Sequence, residues 1–545
     1  MEIQKFDLPA NNDRGIAVEL ETKIVNPSVM GVALGQADFD VYFDSVIIGY
    51  SSVPCLNITM GDNYLSLSGG LIPVTNSKAD AVSTLFNNYV SGKPSKLKVR
   101  GNPSNNSQEA ISWVNYLVAN IQMDITLPGI IGFSPIERID LIKISSDFSD
   151  KDSFPTRGML GVLYKMPFKF PLSLVSVASS MHLEKDEKPL ADINFSNSPV
   201  VKNDPGYAEV KFEGNMMPRE NFPNFLENLI LSDKVIADSH GKTDIVALTN
   251  IGMIKMKEMR LEKELTIKGI ASFSDPAPVV NNISVFQGDE AVLFMAVNVT
   301  LNNPSPFEAF IGNTSLDIVY KDEKLGEASI KNFSLKMGNN TVVADCFENA
   351  LTSNSPAAEE FFSNYATGKN SIVQLKGTAK SVDNPIFQAV FEKLSVVAEF
   401  PGIPKDQLLI KSAVVGPRGF LDFRPGGGFH LVNVFDVEVT VLGMTDVQIF
   451  HMPDKYNSTD FLLATIDQPE LKPTYVVKPR SELKPGKKIL LNVNHSNPID
   501  LLKELFGMTD TIYVRVKGKV IVKLGKYPVT LNYYQESIPS KFSAT

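Results

Sequence analysis

Apolar and polar residues alternate along much of this chain. Val18 and Leu20 begin one such run, and Phe39, Val41 and Phe43 form another. Glycine and proline residues separate the runs. A period of two is what a half-buried β-strand requires, because successive side chains point to opposite faces. The pattern therefore predicts an all-β fold. Further runs of this kind cover residues 207–212, 256–269, 292–301, 316–320, 432–442 and 511–522.

Four short segments break this alternation with apolar residues at helical spacing. Gly92 and Gly368 follow the first and third segments, and glycine is common just after a helix. Asn497-Pro498 begins the last one with a capping side chain and a proline at the first helical position. The aromatic residues Phe86 and Tyr89 are expected in the core, and one short helix per structural unit is predicted. The segments are residues 78–89, 222–231, 357–365 and 498–506.

The order of these elements repeats once along the chain. Residues 86–93 (FNNYVSGK) recur as residues 362–369 (FSNYATGK), which lie 276 positions later. At nearly the same offset, Asn26-Pro27 recurs as Asn303-Pro304. Self-similarity at a fixed spacing indicates internal duplication, so we interpret the chain as two homologous halves. In each Asn-Pro pair we expect the asparagine side chain to satisfy turn donors.

Each half divides again, because a Pro-Gly pair near its middle is followed by a new set of strands. At 545 residues the chain exceeds the size at which a single core keeps growing. We predict four tandem β-sandwiches of immunoglobulin- or fibronectin-like kind, with sheets packed face to face. The third repeats the first and the fourth repeats the second. Their predicted bounds are 1–126, 127–274, 275–399 and 400–545.

Within the first and third units, an apolar strand runs into Asn-Pro and is followed by a second strand, a glycine turn and a late helix. Residues 20–27 with 41–49, and 297–304 with 318–326, carry this order. It resembles the late-embryogenesis-abundant (LEA) type 2 domain, also called the water-stress-and-hypersensitive-response (WHy) domain. The second and fourth units lack the Asn-Pro. Four such units in tandem are similar to the lumenal part of fungal vacuolar-membrane proteins, one of which is implicated in the termination of autophagy.

This resemblance implies a non-catalytic interaction or sensing region of a vacuolar, lysosome-like membrane protein, with a role in the regulation of autophagy. It places the chain on the lumenal side of the vacuolar membrane, attached through an N-terminal transmembrane helix that is absent from this chain. The protein partners are not specified by the sequence. The alternative is binding or transfer of lipid or another hydrophobic ligand in grooves of the sandwiches, which requires an apolar cavity of several hundred Å³.

The composition is that of a globular protein and does not favour nucleic acid as a partner. The chain carries 52 Lys and Arg against 61 Asp and Glu, a net charge of -9, without a basic stripe. Proteins that bind nucleic acid present a basic surface. The apolar stretch at residues 171–183 is interrupted before it reaches the roughly 18 residues of a membrane-spanning helix. We therefore expect neither nucleic-acid binding nor a transmembrane helix within this sequence.

No combination of residues in the sequence points to catalysis. The histidines form no His-Glu-X-X-His pair for zinc, and the sequence has neither a Gly-X-Ser-X-Gly nucleophile motif nor a Gly-X-X-X-X-Gly-Lys-Ser/Thr phosphate loop. We therefore expect no catalytic, cofactor-binding or metal-binding residues, and the chain is not predicted to be an enzyme. The histidines are His182, His240, His430, His451 and His495.

Two other features have structural interpretations. Cys55 and Cys346 do not fall at equivalent positions of the repeat, so free thiols are expected, with a disulfide bridge as the alternative. Residues 424–428 contain three glycines and resemble a phosphate-binding loop, but strand-like residues follow them instead of a helix. A flexible hairpin is therefore predicted there.

Asparagine-linked glycosylation is the modification that the sequence favours. The sequon Asn-X-Ser/Thr, with X other than proline, occurs ten times, about twice the number expected by chance. The excess indicates a glycosylated compartment, although a β-rich sequence with many asparagine turns is the alternative explanation. The candidate residues are Asn57, Asn105, Asn194, Asn282, Asn298, Asn313, Asn332, Asn339, Asn457 and Asn494.

Overall fold

The computed structural model describes residues 2–73, 79–103, 112–148, 152–349, 355–418, 424–457, 459, 461–486, 488–493, 507 and 511–542. Strands dominate these residues, as the alternating pattern predicts. The α-helices are α1 Ala79–Val90, α2 Ser112–Asn120, α3 Phe222–Leu231, α4 Pro356–Ala366 and α5 Pro385–Lys393. The strands of the first half are β1 Glu2–Asp7, β2 Asn11–Asn12, β3 Gly15–Asn26, β4 Val32–Phe43, β5 Val46–Ile58, β6 Gly61–Leu71, β7 Ser95–Gly101, β8 Gln122–Leu127, β9 Ile136–Ser146, β10 Phe154–Tyr164, β11 Ser173–Lys185, β12 Lys188–Asp204, β13 Tyr207–Pro218, β14 Lys234–Thr249 and β15 Gly252–Lys268.

The strands of the second half are β16 Val279–Gly288, β17 Val292–Asn303, β18 Phe307–Tyr320, β19 Glu323–Leu335, β20 Gly338–Asn349, β21 Ser371–Lys376, β22 Ser395–Phe400, β23 Ile410–Pro417, β24 Pro425–Val432, β25 Val439–Met452, β26 Leu462–Gln468, β27 Tyr475–Val477, β28 Glu482–Leu483, β29 Ile489–Leu490, β30 Ile512–Leu524 and β31 Tyr527–Phe542. The chain forms two compact units. Unit 1 comprises Met1–Phe225, Lys234–Lys268 and Pro306–Ala309; unit 2 comprises Leu226–Asp233, Gly269–Ser305 and Phe310–Thr545.

The first sheet of unit 1 closes on itself. Its strand order is β1-β8-β7-β4-β5-β6-β3-β2, and β1 also pairs with β3. Glu2 lies opposite Lys23 in the antiparallel β1–β3 pair and opposite Thr126 in a parallel β1–β8 pair. Of the alternating apolar residues predicted from the sequence, Val18, Phe39 and Phe43 are buried. We call this closed sheet the first ring.

Unit 2 contains a second ring with the same connections. Its order is β18-β19-β20-β17-β16-β22-β21, and β18 also pairs with β21. The parallel contact recurs as well, because Val279 at the start of β16 lies opposite Glu399 near the end of β22. The repeat found in the sequence is therefore present in the strand order.

Each unit also contains a second sheet, which follows its ring in the sequence. In unit 1 the order is β15-β14-β11-β12-β13-β10-β9, and in unit 2 it is β26-β25-β30-β31-β23-β24-β28. A long antiparallel hairpin, β14–β15 in unit 1 and β30–β31 in unit 2, is common to both sheets. The predicted bounds of four sandwiches remain a prediction, whereas the tandem all-β organisation is present in the structure.

Two helices of the structure were not predicted. Helices α1, α3 and α4 lie where helical spacing predicts them, while α2 and α5 give each ring a second helix. Asn384 caps α5 by accepting a hydrogen bond from the amide of Ile386 at 3.0 Å, and Pro385 follows it. That Asn-Pro signal is the one used for residues 498–506, which lie outside the described residues.

Two local predictions in the last sheet are wrong. The stretch 432–442 is not one strand, because the buried side chain of Asn433 interrupts it between β24 and β25. Its amide donates to the carbonyls of Val437 (2.7 Å) and Val477 (3.1 Å), and its oxygen accepts from the amide of Phe435 (2.8 Å). Residues 425–428 are not the flexible part of a hairpin, since they form the start of β24 and pair with the antiparallel strand β23.

The asparagine turns act as the sequence predicts. Asn26 accepts a hydrogen bond from the amide of Ser28 at 3.0 Å, and Asn303 accepts one from the amide of Ser305 at the same distance. Each asparagine side chain therefore satisfies the backbone amide of the serine that follows the proline, in the turn at the end of the strand.

In both units the ring docks its helix on the long hairpin of the following sheet, and we call this contact the joint. In unit 1 the side-chain oxygen of Asn87 in α1 accepts from the amide of Lys257 in β15 at 2.8 Å. In unit 2 the hydroxyl of Ser363, the equivalent residue of α4, accepts from the amide of Asn532 in β31 at 2.8 Å. The duplication therefore extends to the contact between ring and sheet.

In unit 1, α1 also packs against the segment between β10 and β11. Phe86 is buried, as its helical spacing predicts, and its ring lies 5.2 Å from that of Phe168 and 6.3 Å from that of Phe170. Tyr89 stacks on Phe168 from the same helix face, and burial raises its pKa. Aromatic contacts of this kind stabilise a packed core and do not require a ligand.

Candidate functional site

The sequon asparagines are the residues for which the sequence makes a chemical prediction. Eight of the ten lie in the described part of the chain, and Asn105 and Asn494 lie outside it. Six of the eight side chains are exposed, and those of Asn194 and Asn298 are half-buried. None of the eight is buried, so each presents its amide at or near the surface. The exposed six are Asn57, Asn282, Asn313, Asn332, Asn339 and Asn457.

Half of the sequons are concentrated in the second ring. Asn282 on β16 lies directly opposite Asn298 on β17. The side-chain oxygen of Asn313 on β18 accepts a hydrogen bond from the amide of Asn332 on β19 at 3.2 Å. Asn339 lies in β20. The five asparagines therefore lie on strands of the same closed sheet. The sequence alone does not show this proximity in space.

A polar groove of about 640 Å³ in unit 1 contains one of the sequon asparagines, Asn194. Strands β11, β12 and β13 form its floor, and Asn194 lies between Ser180 and Asn215 on the neighbouring strands. The register of β14 against β15 shifts between Thr243 and Ile245, which is a β-bulge. Such a bulge bends the sheet and thereby shapes the wall of the groove.

Two of the charged residues of this groove form an ion pair. Lys242 Nζ lies 3.2 Å from a carboxylate oxygen of Glu258, and Asp244 accepts a hydrogen bond from the amide of Glu258 at 2.7 Å. Glu213 also lines the groove. The arrangement offers hydroxyl, amide and carboxylate groups to a polar partner, and a glycan on Asn194 would occupy the same space.

The structure brings together two histidines that are far apart in the sequence. His182 on β11 lies directly opposite His240 on β14. Asp192 accepts from His182 Nδ1 at 2.6 Å and also from Arg219, while Glu184 lies 3.0 Å from His240 Nε2. Burial opposes ionisation of Asp192, but the hydrogen bonds from His182 and Arg219 outweigh it and lower the pKa.

No sequence motif signals this histidine pair, because its proximity depends on strand register. On this face of the sheet His182 is exposed and His240 is half-buried, and each is paired with a carboxylate. The other described histidines, His430 and His451, lie in the last sheet. Among the residues that the structure describes, no group of three or more His, Cys, Asp or Glu side chains is placed to hold a metal ion.

Cys55 is exposed and Cys346 is buried, and both are free thiols. Burial raises the pKa of Cys346 to about 12, so this thiol stays protonated and unreactive at physiological pH. The expectation of free thiols is confirmed.

A buried carboxylic acid in unit 2 was not predicted. Glu348 in β20 is 3% exposed, and burial raises its pKa to about 8, while the nearby hydroxyl of Tyr527 in β31 opposes the rise. In the first ring the equivalent residue is Leu71, as the matching turns at Asn63 and Asn340 show. Because the first ring has a leucine at this position, the position belongs to the core. The sequence repeat therefore indicates that the second ring has an ionisable residue at a core position.

The last sheet encloses a small apolar cavity. Its volume is about 60 Å³, and its lining includes Phe429, Val441, Val516 and Leu531, with Tyr533 as a polar neighbour. An engineered apolar cavity of about 150 Å³ binds benzene, so 60 Å³ is too small for an acyl chain. In the described part of the chain, no helix is long and apolar enough to cross a bilayer.

Comparison with known proteins assigns no function. The model of a family named DUF3712, a protein of unknown function, matches residues 188–318, which is less than half of the chain. No curated protein matches the sequence. A crystal structure of a tetra-tandem repeat in the extending region of a large adhesion protein aligns with 9% identity over 100% of this chain and 98% of that one. Its TM-score of 0.16 is too low for the likeness to support an argument.

Proposed function

We propose that this chain is the lumenal, non-catalytic interaction or sensing region of a vacuolar, lysosome-like membrane protein that carries N-linked glycans. The observation that carries the proposal is the position of the sequons, because all eight described asparagines keep their side chains out of the core. An accessible asparagine is what glycosylation requires, and it takes place in the secretory pathway.

The finer part of the proposal rests on the resemblance to LEA type 2 domains. The Asn-Pro turns at Asn26 and Asn303 and the late helices α1 and α4 are the features shared with that domain. The resemblance to tandem fungal vacuolar proteins adds the vacuolar membrane and a role in regulating autophagy. The groove around Asn194 supplies a polar surface for a protein partner.

The test is purification of the full-length protein from a eukaryotic host, followed by treatment with an N-glycosidase and mass spectrometry. We expect a loss of mass that corresponds to several glycans, and aspartate in place of the asparagine at each modified sequon. Protease protection of intact vacuoles is the second arm, in which the region should resist digestion until the membrane is opened. An unglycosylated protein that is digested while the vacuoles are still intact would contradict the proposal.

Binding or transfer of a hydrophobic ligand is the second candidate function. The apolar lining of the cavity in the last sheet favours it, but the cavity of about 60 Å³ must widen before an acyl chain fits. Native mass spectrometry with lipid extraction distinguishes the two candidates. A stoichiometric bound lipid favours the carrier, and a ligand-free glycoprotein favours the interaction or sensing region.

A further inference from the structure

A second cavity of unit 2 has a charge opposite to that of the whole chain. It has a volume of about 330 Å³ and lies beside β27, β28 and β29. Of the described residues that line it, four are cationic and none is acidic, although the net charge of the chain is -9. The four are Arg418, Lys472, Lys484 and Lys488.

The side-chain stems of two of these cations pass over the same glycine. A Cβ atom on Gly426 would lie 2.7 Å from Cγ of Arg418 and 2.8 Å from Cβ of Lys488, so a larger residue would displace both side chains. Gly426 lies in β24, at the position that the sequence assigned to a flexible hairpin. The glycine therefore allows two cationic side chains to cross the same stretch of strand.

Lys488 is the innermost of the four cations. The residue is 9% exposed, and its Nζ donates to the carbonyl of Pro417 at 3.1 Å. Burial lowers its pKa, because the charged form has lost much of its hydration. An anion in the cavity would offset that loss.

The other two cations lie at the mouth of the cavity. Lys472 and Lys484 are exposed, and Lys472 Nζ lies 2.9 Å from a carboxylate oxygen of Glu470. Both partners of that pair are more than 70% exposed, so the pair is weak and is easily exchanged for another anion. Thr474 and Tyr475 add hydroxyl-bearing side chains to the lining.

We propose that this cavity binds a phosphorylated polar molecule of about the size of an inositol phosphate, either free or as the head group of a lipid. Arginine and lysine together are the side chains that recognise phosphate groups, through paired and single charge-assisted hydrogen bonds. Several cations suit a ligand with more than one phosphate group. The volume falls in the range of small-molecule sites. This proposal does not depend on the compartment or on glycosylation.

The first experiment is calorimetric titration of the full-length chain with inositol hexakisphosphate and with inorganic phosphate at two salt concentrations. We expect saturable binding of the inositol phosphate to one site per chain, weaker binding of phosphate, and loss of affinity as salt rises. The double variant Lys472→Gln/Lys484→Gln should lose at least about tenfold in affinity. Both side chains are exposed, so the variant keeps the fold.

The matched control is Lys517→Gln/Lys523→Gln, which removes the same charge from exposed positions of β30 that do not line the cavity. Its affinity should stay within about twofold of the unmodified chain. The absence of saturable binding to the unmodified chain, or an equal loss in the two double variants, would overturn the proposal. If the first double variant melts early, the single variant Lys484→Gln gives the same comparison.

Vesicle sedimentation separates the two sources of the phosphate. Vesicles of phosphatidylcholine are compared with vesicles that also contain phosphatidylinositol 4-phosphate. Binding to the second kind alone identifies a lipid head group, and binding of inositol hexakisphosphate without binding to either vesicle identifies a soluble ligand. Equal binding to both kinds of vesicle would show that the chain does not recognise the phosphorylated inositol head group, and this outcome would contradict the proposal.

Discussion

The buried carboxylic acid of Glu348 makes the unfolding free energy of unit 2 depend on pH. Its pKa is raised to about 8 in the folded chain because it is buried against β31, whereas in the unfolded chain it has the ordinary value of 4.5. The folded state therefore retains a proton that the unfolded state releases between these values. The stability that this difference contributes is complete below the unfolded pKa and is lost as pH rises through the folded one.

We expect unit 2 to lose on the order of 4 kcal/mol of unfolding free energy between about pH 5 and about pH 8, since each unit of pKa difference corresponds to about 1.4 kcal/mol. The variant Glu348→Leu, chosen because Leu71 holds the same place in the first ring, should remove most of this slope. Urea unfolding at several pH values measures it. A variant with the same slope as the unmodified chain would show that another group titrates.

Asn433 is a second residue whose contribution can be measured. Its buried side chain makes hydrogen bonds with the backbone of Phe435 and Val437, within the break between β24 and β25, and with that of Val477 in β27. We expect Asn433→Ala to lower the unfolding free energy by about 2–4 kcal/mol, because backbone groups are left without partners. Asn433→Asp is the control that retains the acceptor oxygen for Phe435. A loss below about 0.5 kcal/mol in the alanine variant would refute this role.

At the scale of elements, the joint couples a helix of each ring to the hairpin of the next sheet. Asn87 and Ser363 perform the same task with different side chains, since each accepts a hydrogen bond from a strand amide. The sequence repeat identified these residues as equivalent but did not indicate their partners. Those partners lie about 170 residues away, and local patterns carry no information about contacts at that separation.

Removal of the acceptor should loosen the joint without unfolding the helix. In the variant Asn87→Ala we expect the amide of Lys257 to exchange its hydrogen about five- to tenfold faster, which corresponds to a hydrogen bond worth about 1 kcal/mol. Thr84→Ala, on the exposed side of α1, is the matched control and should leave that amide unchanged. Hydrogen exchange followed by mass spectrometry or NMR distinguishes the two variants.

At the scale of the whole molecule, the alternation of apolar residues predicted an all-β chain, and the 276-residue repeat predicted its duplication. Closure of the rings was not predictable, because the β1–β8 and β16–β22 contacts join strands more than 100 residues apart. The break at Asn433 and the helices α2 and α5 were missed because short polar signals compete with the alternating pattern. The groove and the basic cavity depend on strand register, which the sequence does not specify locally.

Glycan occupancy should follow exposure across the whole chain. We expect the six exposed sequon asparagines to be modified more completely than Asn194 and Asn298, which are half-buried within strands. The oxygen of Asn298 also accepts a hydrogen bond from Asn281 at 3.2 Å. Site-resolved glycopeptide mass spectrometry measures the occupancy of each site. Full occupancy of Asn194 and Asn298 with low occupancy of the exposed six would contradict this expectation.

The parallel contact that closes each ring has an evolutionary consequence. Glu2 near the start of the first ring lies opposite Thr126 near its end, and Val279 and Glu399 repeat this arrangement. When the two ends of a protein segment meet in space, a copy of its coding sequence can be inserted elsewhere in a gene without displacing the neighbouring parts of the fold. The ring is therefore a self-contained unit of the fold, and copying it together with the sheet that follows it would give the two halves of this chain.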